Sequence, residues 1–152
     1  MSAVGEYQIV DVTDDQGKVI APDWLARAEP VHRQLRERLP VDYAARLGEI
    51  FRSGARMTIV GADGTALGVA LWRVIENTYE GRRFYVDDLV TDSAHRSSGV
   101  GKFLLGHLEA RARQLGCNVL TLDSGTQRTA AHKFYFREGM IIPGFAFRKE
   151  LA

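Results

Sequence analysis

With 152 residues, 45% of them hydrophobic and 26% charged, the chain suffices for one domain with one sizeable core, in the range of ordinary soluble globular proteins. A formal net charge of +1 points to neither nucleic acid nor an anionic membrane as partner. The single cysteine, Cys117, rules out an internal disulfide and fits a reducing cytoplasm; no apolar run nears the ~20 residues of a membrane span, and residues 1–6 lack the basic start and apolar core of a signal peptide.

Residues 7–12 alternate as a first strand, and 14–17 form a polar loop. Pro22 and Asp23 open a helical stretch over 23–39, in which Pro30 predicts a kink or a break. Its Arg27, His32, Arg33, Arg36 and Arg38 read as a solvated face, because Glu29 and Glu37 interrupt the cationic surface that nucleic acid requires. Pro40 ends this stretch. Asp42 suits the N-cap of a second helix over 43–53, with Leu47, Ile50 and Phe51 on one face and Gly54 as its stop. Residues 57–60 and 66–75 are strands joined by an Asp63-Gly64 turn. The second is apolar on both faces, so it is expected at the centre of a sheet. Residues 82–91 form the next strand of an antiparallel meander.

Residues 84–115 organise the rest. The strand ends at Thr91, a polar turn follows, and Val100, Phe103, Leu104, Leu108, Ala112 and Leu115 repeat at helical spacing. At the seam lies Arg96-Ser97-Ser98-Gly99-Val100-Gly101. A glycine-rich turn that opens a helix offers free backbone N–H groups at the positive end of the helix dipole, a site for phosphate oxygens. Gly99 and Gly101 let a ligand come close to the main chain. A P-loop is excluded: Phe103, not Ser or Thr, follows Gly101-Lys102. Beyond this helix, 119–122 is a short strand expected parallel to the previous one, 129–138 a helix closed by Gly139, and 145–151 a last strand alternating Phe145, Phe147, Lys149 and Leu151. The sheet is then mixed and mostly antiparallel, flanked by helices: an α/β (α+β) domain spanning 1–152.

The spacing Arg-x-x-Gly-x-Gly between a strand and a helix resembles the acetyl-CoA signature of the GNAT N-acetyltransferases. The segment LDSGTQRTAAHKFYFREGM resembles the family's second motif, so the likeness runs from the cofactor motif at 84–115 into a second motif at 119–151. It implies a GNAT fold and transfer of an acetyl group from acetyl-CoA to a primary amine: a small molecule, a peptide N-terminus or a lysine. It implies that the main chain at Leu89 and Thr91 pairs with pantetheine. An N–H near Leu89 or Val90 would meet the acyl oxygen, and Arg96, Ser97, Ser98, Gly99, Val100, Gly101 and Lys102 would surround the pyrophosphate. Tyr135 matches the family's general acid. Asp87 is the first choice for the group that takes or holds the amine's proton, with Glu76 second. Strand alternation puts Tyr85, Asp87, Leu89 and Thr91 on one face and Asp88 on the other. An ion pair of Asp87 with Arg82 or Arg83 is the competing reading. The junction over 33–43 is implied to flank the acceptor. His132 stands beside the motif alanine, His95 reads as packing, and no residue spacing suggests a metal. Homodimerisation, involving Phe145 and Phe147, is a family-level expectation. A rival from another class is a non-catalytic acyl-CoA sensor or interaction module.

Overall fold

The computed structural model describes residues 6–152; residues 1–5, within the stretch read for a signal peptide, lie outside them. One five-stranded sheet, in the order β1-β2-β3-β4-β5, carries the fold. Its strands are β1 (Gln8–Asp11), β2 (Arg56–Ala62), β3 (Thr65–Asn77), β4 (Gly81–Thr91) and β5 (Val119–Leu122). The first four pair antiparallel in succession, and β5 joins β4 after a helical crossover, so the sheet is mixed. Helices α1 (Pro22–Leu35) and α2 (Tyr43–Arg52) lie between β1 and β2, α3 (Val100–Gln114) between β4 and β5, and α4 (Thr129–Arg137) after β5. The described residues form two compact units, one ending at residue 121 and the other comprising residues 122–152.

Local chemistry sets the joints. The Asp42 carboxylate accepts the Ala45 N–H at 3.0 Å and caps α2. Asp63 and Gly64 take φ of 50° and 76°, the paired positive angles that a tight β2–β3 hairpin needs. In the larger unit the sheet is covered on both sides. Leu25, Ala28, Val31, Tyr43, Leu47 and Phe51 of α1 and α2 pack on Met57, Ile59, Val69, Leu71 and Val90. On the opposite face Trp72 stacks on Phe84 with centroids 4.6 Å apart. There α3 seats Val100 and Leu104 on Gly68, where an added Cβ would stand only 2.9 Å from Val100.

Three expectations are corrected. First, α1 runs unbroken through Pro30 and stops at Leu35, not 39. Proline removes one helical hydrogen bond, but Ala28, Val31 and His32 on either side are buried and hold the helix together. Second, the polar face of α1 is not wholly solvated. His32 is only 1% exposed, because it continues the stripe Leu25, Ala28, Val31. Third, residues 145–151 form no strand: the chain from 141 to 152 has no regular structure, and Phe145 and Phe147 are exposed. Alternation specifies a face for a strand but supplies no partner edge.

A β-bulge in β4 positions the site. Trp72 faces Val86 and the next residue back, Leu71, faces Asp88, so Asp87 is the extra residue. Leu71 and Trp72 look to opposite faces, as neighbours on a strand must. Val86 therefore faces the α3 side, and Asp88 and Val90 face α1 and α2. The simple alternation expected for Asp87 and Asp88 is thus overturned: both carboxylates reach partners on the α1–α2 side.

Candidate active site

The glycine-rich turn is built as a cradle. β4 ends where the Asp92 N–H donates to Leu67 O at 2.8 Å. Gln34 of α1 clips that end, donating Nε2–H to Asp92 (2.8 Å) and accepting the Ser93 N–H (2.9 Å). The hydrogen bond from Gln34 leads the influences that hold the Asp92 carboxyl below the usual carboxylate range. His95 adds a bond to Asp92 at 3.0 Å, a local tie rather than the packing expected of it. The chain then turns through Ser97 and Gly99, whose φ values of 64° and 86° are left-handed. Tyr7 donates its hydroxyl to Ser98 O at 2.7 Å, and its ring meets Phe103 edge-on.

Gly99 is the N-cap of α3, with no side chain capping the amides that follow and no acidic residue in the first turn. The Phe103 N–H reaches Gly99 O at 2.9 Å; the amides before it are the first-turn groups that a helix leaves without internal partners. A Cβ built on Gly99 would meet nothing within 4 Å, so the ground beside these amides is open. Arg96, Ser97, Ser98 and Lys102 are exposed around it, and Val100 is buried as the anchor. Among the described residues neither Arg96 nor Lys102 enters an ion pair. Exposed cations, first-turn amides and the open space at Gly99 fit a diphosphate.

The strand beside the cradle runs past its neighbour β5. Asn118, just before β5, donates its N–H to Arg82 O at 2.7 Å, so β5 starts opposite the beginning of β4. Four residues of β5 cannot accompany eleven of β4. In the five-stranded sheet, residues 87–91 therefore have β3 as their strand neighbour and lie past the reach of β5. Leu89 and Thr91 are half-buried there, opposite Ala70 and Gly68.

The acids separate by environment. Asp87 pairs with Arg73 at 2.8 Å, not with Arg82 or Arg83. Burial pushes its carboxyl above the usual range, and Arg73 only partly pulls it back. Asp88 accepts from His32 Nε2 at 2.7 Å and from Arg36 Nε at 2.7 Å. Burial opposes ionisation at Asp88 too, but His32 and Arg36 overcome it and hold the carboxyl below the usual range. His32 Nδ1 shares a 2.8 Å hydrogen bond with Tyr43 Oη. Arg36 and Asp88 also line an open groove between the ends of α1 and α2, together with Glu37, Arg38, Asp42 and Glu49. Glu76 is largely exposed and paired with Arg82, away from all this.

In the smaller unit, Tyr135 lies half-buried on α4 against Phe134, ring centroids 5.4 Å apart. Burial raises its phenol pKa, with Arg128 opposing. His132 bonds to Gly125 O at 2.8 Å and so ties the preceding loop to α4. The larger unit thus assembles the loop 96–102, the strand 87–91 and both aspartates. Sequence reasoning missed His32 and Tyr7 as site residues and held Gln34 and Arg36 only within the 33–43 stretch implied to flank the acceptor; of these His32 carried a readable sign of burial, its helical spacing from Leu25 and Ala28.

Among the described residues no helix is long and apolar enough to cross a membrane. The profile of the acetyltransferase (GNAT) family matches residues 21–140. YhdJ of Bacillus subtilis (strain 168), an uncharacterized N-acetyltransferase, is 34% identical over 132 residues, covering 84% of this chain and 91% of that protein. Aminoalkylphosphonate N-acetyltransferase of Salmonella typhimurium (strain LT2) is 36% identical over 66 residues, 43% of each chain. In fold, the aminoglycoside N-acetyltransferase AAC(6')-Iy in complex with CoA is similar, with a TM-score of 0.79 at 19% identity over 99% of both chains. GNAT members bind acetyl-CoA. A family match across residues 21–140, on this sheet and this loop, establishes that the chain belongs to the GNAT family and is an N-acetyltransferase.

Proposed function

We propose that this enzyme transfers an acetyl group from acetyl-CoA to a primary amine by direct attack, within a single acetyltransferase domain spanning 1–152. One observation carries the reading: α3 opens on a left-handed Gly99 with uncapped amides, one polar turn after a bulged strand. In this reading the amides of Gly99, Val100 and Gly101 and the loop Arg96, Ser97, Ser98 and Lys102 hold the diphosphate. The main chain at Leu89 and Thr91 takes the pantetheine amides, and an N–H near Leu89 or Val90 faces the acyl oxygen as it gains charge. Bound acetyl-CoA supplies the acetyl group as a thioester.

Asp87 is proposed to take the amine's proton, so that the nitrogen attacks neutral, or else to hold the amine's positive charge as it binds. Its raised pKa supports this role, since a poised carboxylate is a better base than an exposed one. Tyr135 is proposed to hold a proton at Oη for the departing sulfur, and its raised pKa keeps that proton in place at neutral pH. The acceptor is proposed to enter by the groove at the α1–α2 junction, whose rim carries both acids (Glu37, Asp42, Glu49) and arginines (Arg38, Arg46). A cytoplasmic setting and a homodimer involving the exposed Phe145 and Phe147 complete the proposal.

The test is calorimetry with CoA, followed by thiol release from acetyl-CoA over an amine panel. The panel holds aminoalkylphosphonates, aminoglycosides, N-terminal peptides and lysine peptides. Binding of CoA with turnover on one class is expected, and Tyr135→Phe should reduce kcat by about 10²–10⁴-fold with little change in CoA affinity. No heat of binding with CoA sinks the reading.

A further inference from the structure

We propose that the hydrogen-bonded chain Tyr43–His32–Asp88–Arg36 is a positioning device for acetyl transfer: it fixes the bulge at Asp87, and with it the main chain on which acyl group and amine meet. The inference rests on the reading of β4 as the reacting strand.

A bulge leaves one residue outside the ladder, so its backbone is held only if something else holds it. Here α1 and its C-cap residue, Arg36, do so. Arg36 grips the extra residue and the one after it, donating a terminal N–H to the main-chain oxygen of Asp87 at 3.2 Å and Nε–H to Asp88 Oδ1 at 2.7 Å. His32 takes the other carboxylate oxygen, Asp88 Oδ2, at 2.7 Å. An ionised carboxylate only accepts, so Nε2 carries the hydrogen; in the neutral ring Nδ1 then accepts the Tyr43 hydroxyl, 2.8 Å away. The chain thus spans α2, α1 and β4, and every group along it has a partner.

Its burial shows that it is more than surface decoration. Tyr43, His32 and Asp88 are 3%, 1% and 8% exposed. A buried ionic network is a poor way to gain stability, because desolvation offsets most of the attraction. It is a good way to specify one geometry, because any other arrangement leaves a charge unpaired. The outer end, Arg36, is half-exposed and faces the groove, so it can be altered without opening the core.

Arg36→Met keeps the aliphatic stem and removes both anchors; Arg36→Lys keeps the charge. We expect Arg36→Met to lower kcat roughly 10- to 100-fold, with Kd for CoA and acceptor KM within about threefold of wild type, and Arg36→Lys to recover part of the loss. Amide hydrogen exchange over residues 86–89 should quicken in Arg36→Met while the rest of the sheet stays protected. An unchanged kcat overturns the proposal, as does a rise in acceptor KM alone, which would make Arg36 a groove contact. Exchange needs no substrate: unchanged protection at 86–89 overturns the clamp whatever the activity, whereas failure of the wild type to bind CoA overturns the parent reading.

Discussion

Asp87 is pulled two ways. Burial favours its neutral form, and Arg73, 2.8 Å away, favours the charged one; burial prevails and the pKa rises. The sign has two consequences. A carboxyl raised by the fold contributes stability below its unfolded pKa and loses that contribution as pH climbs through its folded pKa. At neutral pH an ionised Asp87 is therefore a cost to the fold, and Asp87→Asn should melt no lower than its lost Arg73 pair requires. Activity should move the other way, since the ionised form is the one that takes a proton. The acid limb of kcat/KM is expected above the range of an exposed aspartate, and Asp87→Asn should cut kcat by about 10²–10⁴-fold and abolish that limb. A pH–rate profile of both proteins checks this. An acid limb that persists unchanged in the variant removes Asp87 from the chemistry.

At the scale of elements, the N-cap of α3 and its middle each hold a glycine, Gly99 and Gly106, with opposite expectations. Gly99 sits at φ +86° beside the open ground of the cradle. Gly99→Val forces a branched side chain into a left-handed conformation, which costs about 1–2 kcal/mol, and fills the space that phosphate oxygens would occupy. CoA affinity should fall at least about tenfold. Gly106 lies mid-helix and exposed, and a methyl group added there would meet nothing within 4 Å. Gly106→Ala should stabilise by about 0.5–1 kcal/mol and leave CoA affinity unchanged, as a control on helix stability. Calorimetry and thermal melts on the pair decide whether the N-terminus of α3 binds. The same element shows what was readable beforehand. Val100, Leu104, Leu108 and Ala112 announce α3 by their spacing and are buried, whereas Phe103 of the same expected stripe is exposed and Leu115 half-buried; the β5 range of 119–122 matches residue for residue. Strand and helix periods are local, so they survive reading without a fold. The bulge does not: it arises from the register of β4 on β3, and nothing in Val86-Asp87-Asp88-Leu89 marks which residue will be skipped. The partners of Asp88 were hidden for the same reason, 52 and 56 residues away on a helix whose polar face looked solvated. The last predicted strand failed in reverse, with a clean alternation at 145–151 and no ladder to join.

For the molecule as a whole, acid is the revealing stress. The larger unit packs one face of its sheet under α1 and α2, and Asp88 ties α1 to β4 through His32 and Arg36. Its pKa is lowered in the fold, so its contribution is present in full above the unfolded value of ~3.9 and is lost as pH falls through the lower folded value. Asp88→Asn removes the charge while keeping an oxygen that can accept from His32. At pH 7 the variant should lose about 3 kcal/mol, at the lower end for breaking a buried pair, because half-exposed Arg36 can turn to solvent. The gap between wild type and variant should then narrow from about pH 4 downward, as the wild-type carboxylate takes up its own proton. Urea melts at pH 7, 5 and 3 measure that gap directly. A gap that stays constant across the series would mean that the shape of residue 88, rather than its charge, holds α1 to the bulged strand.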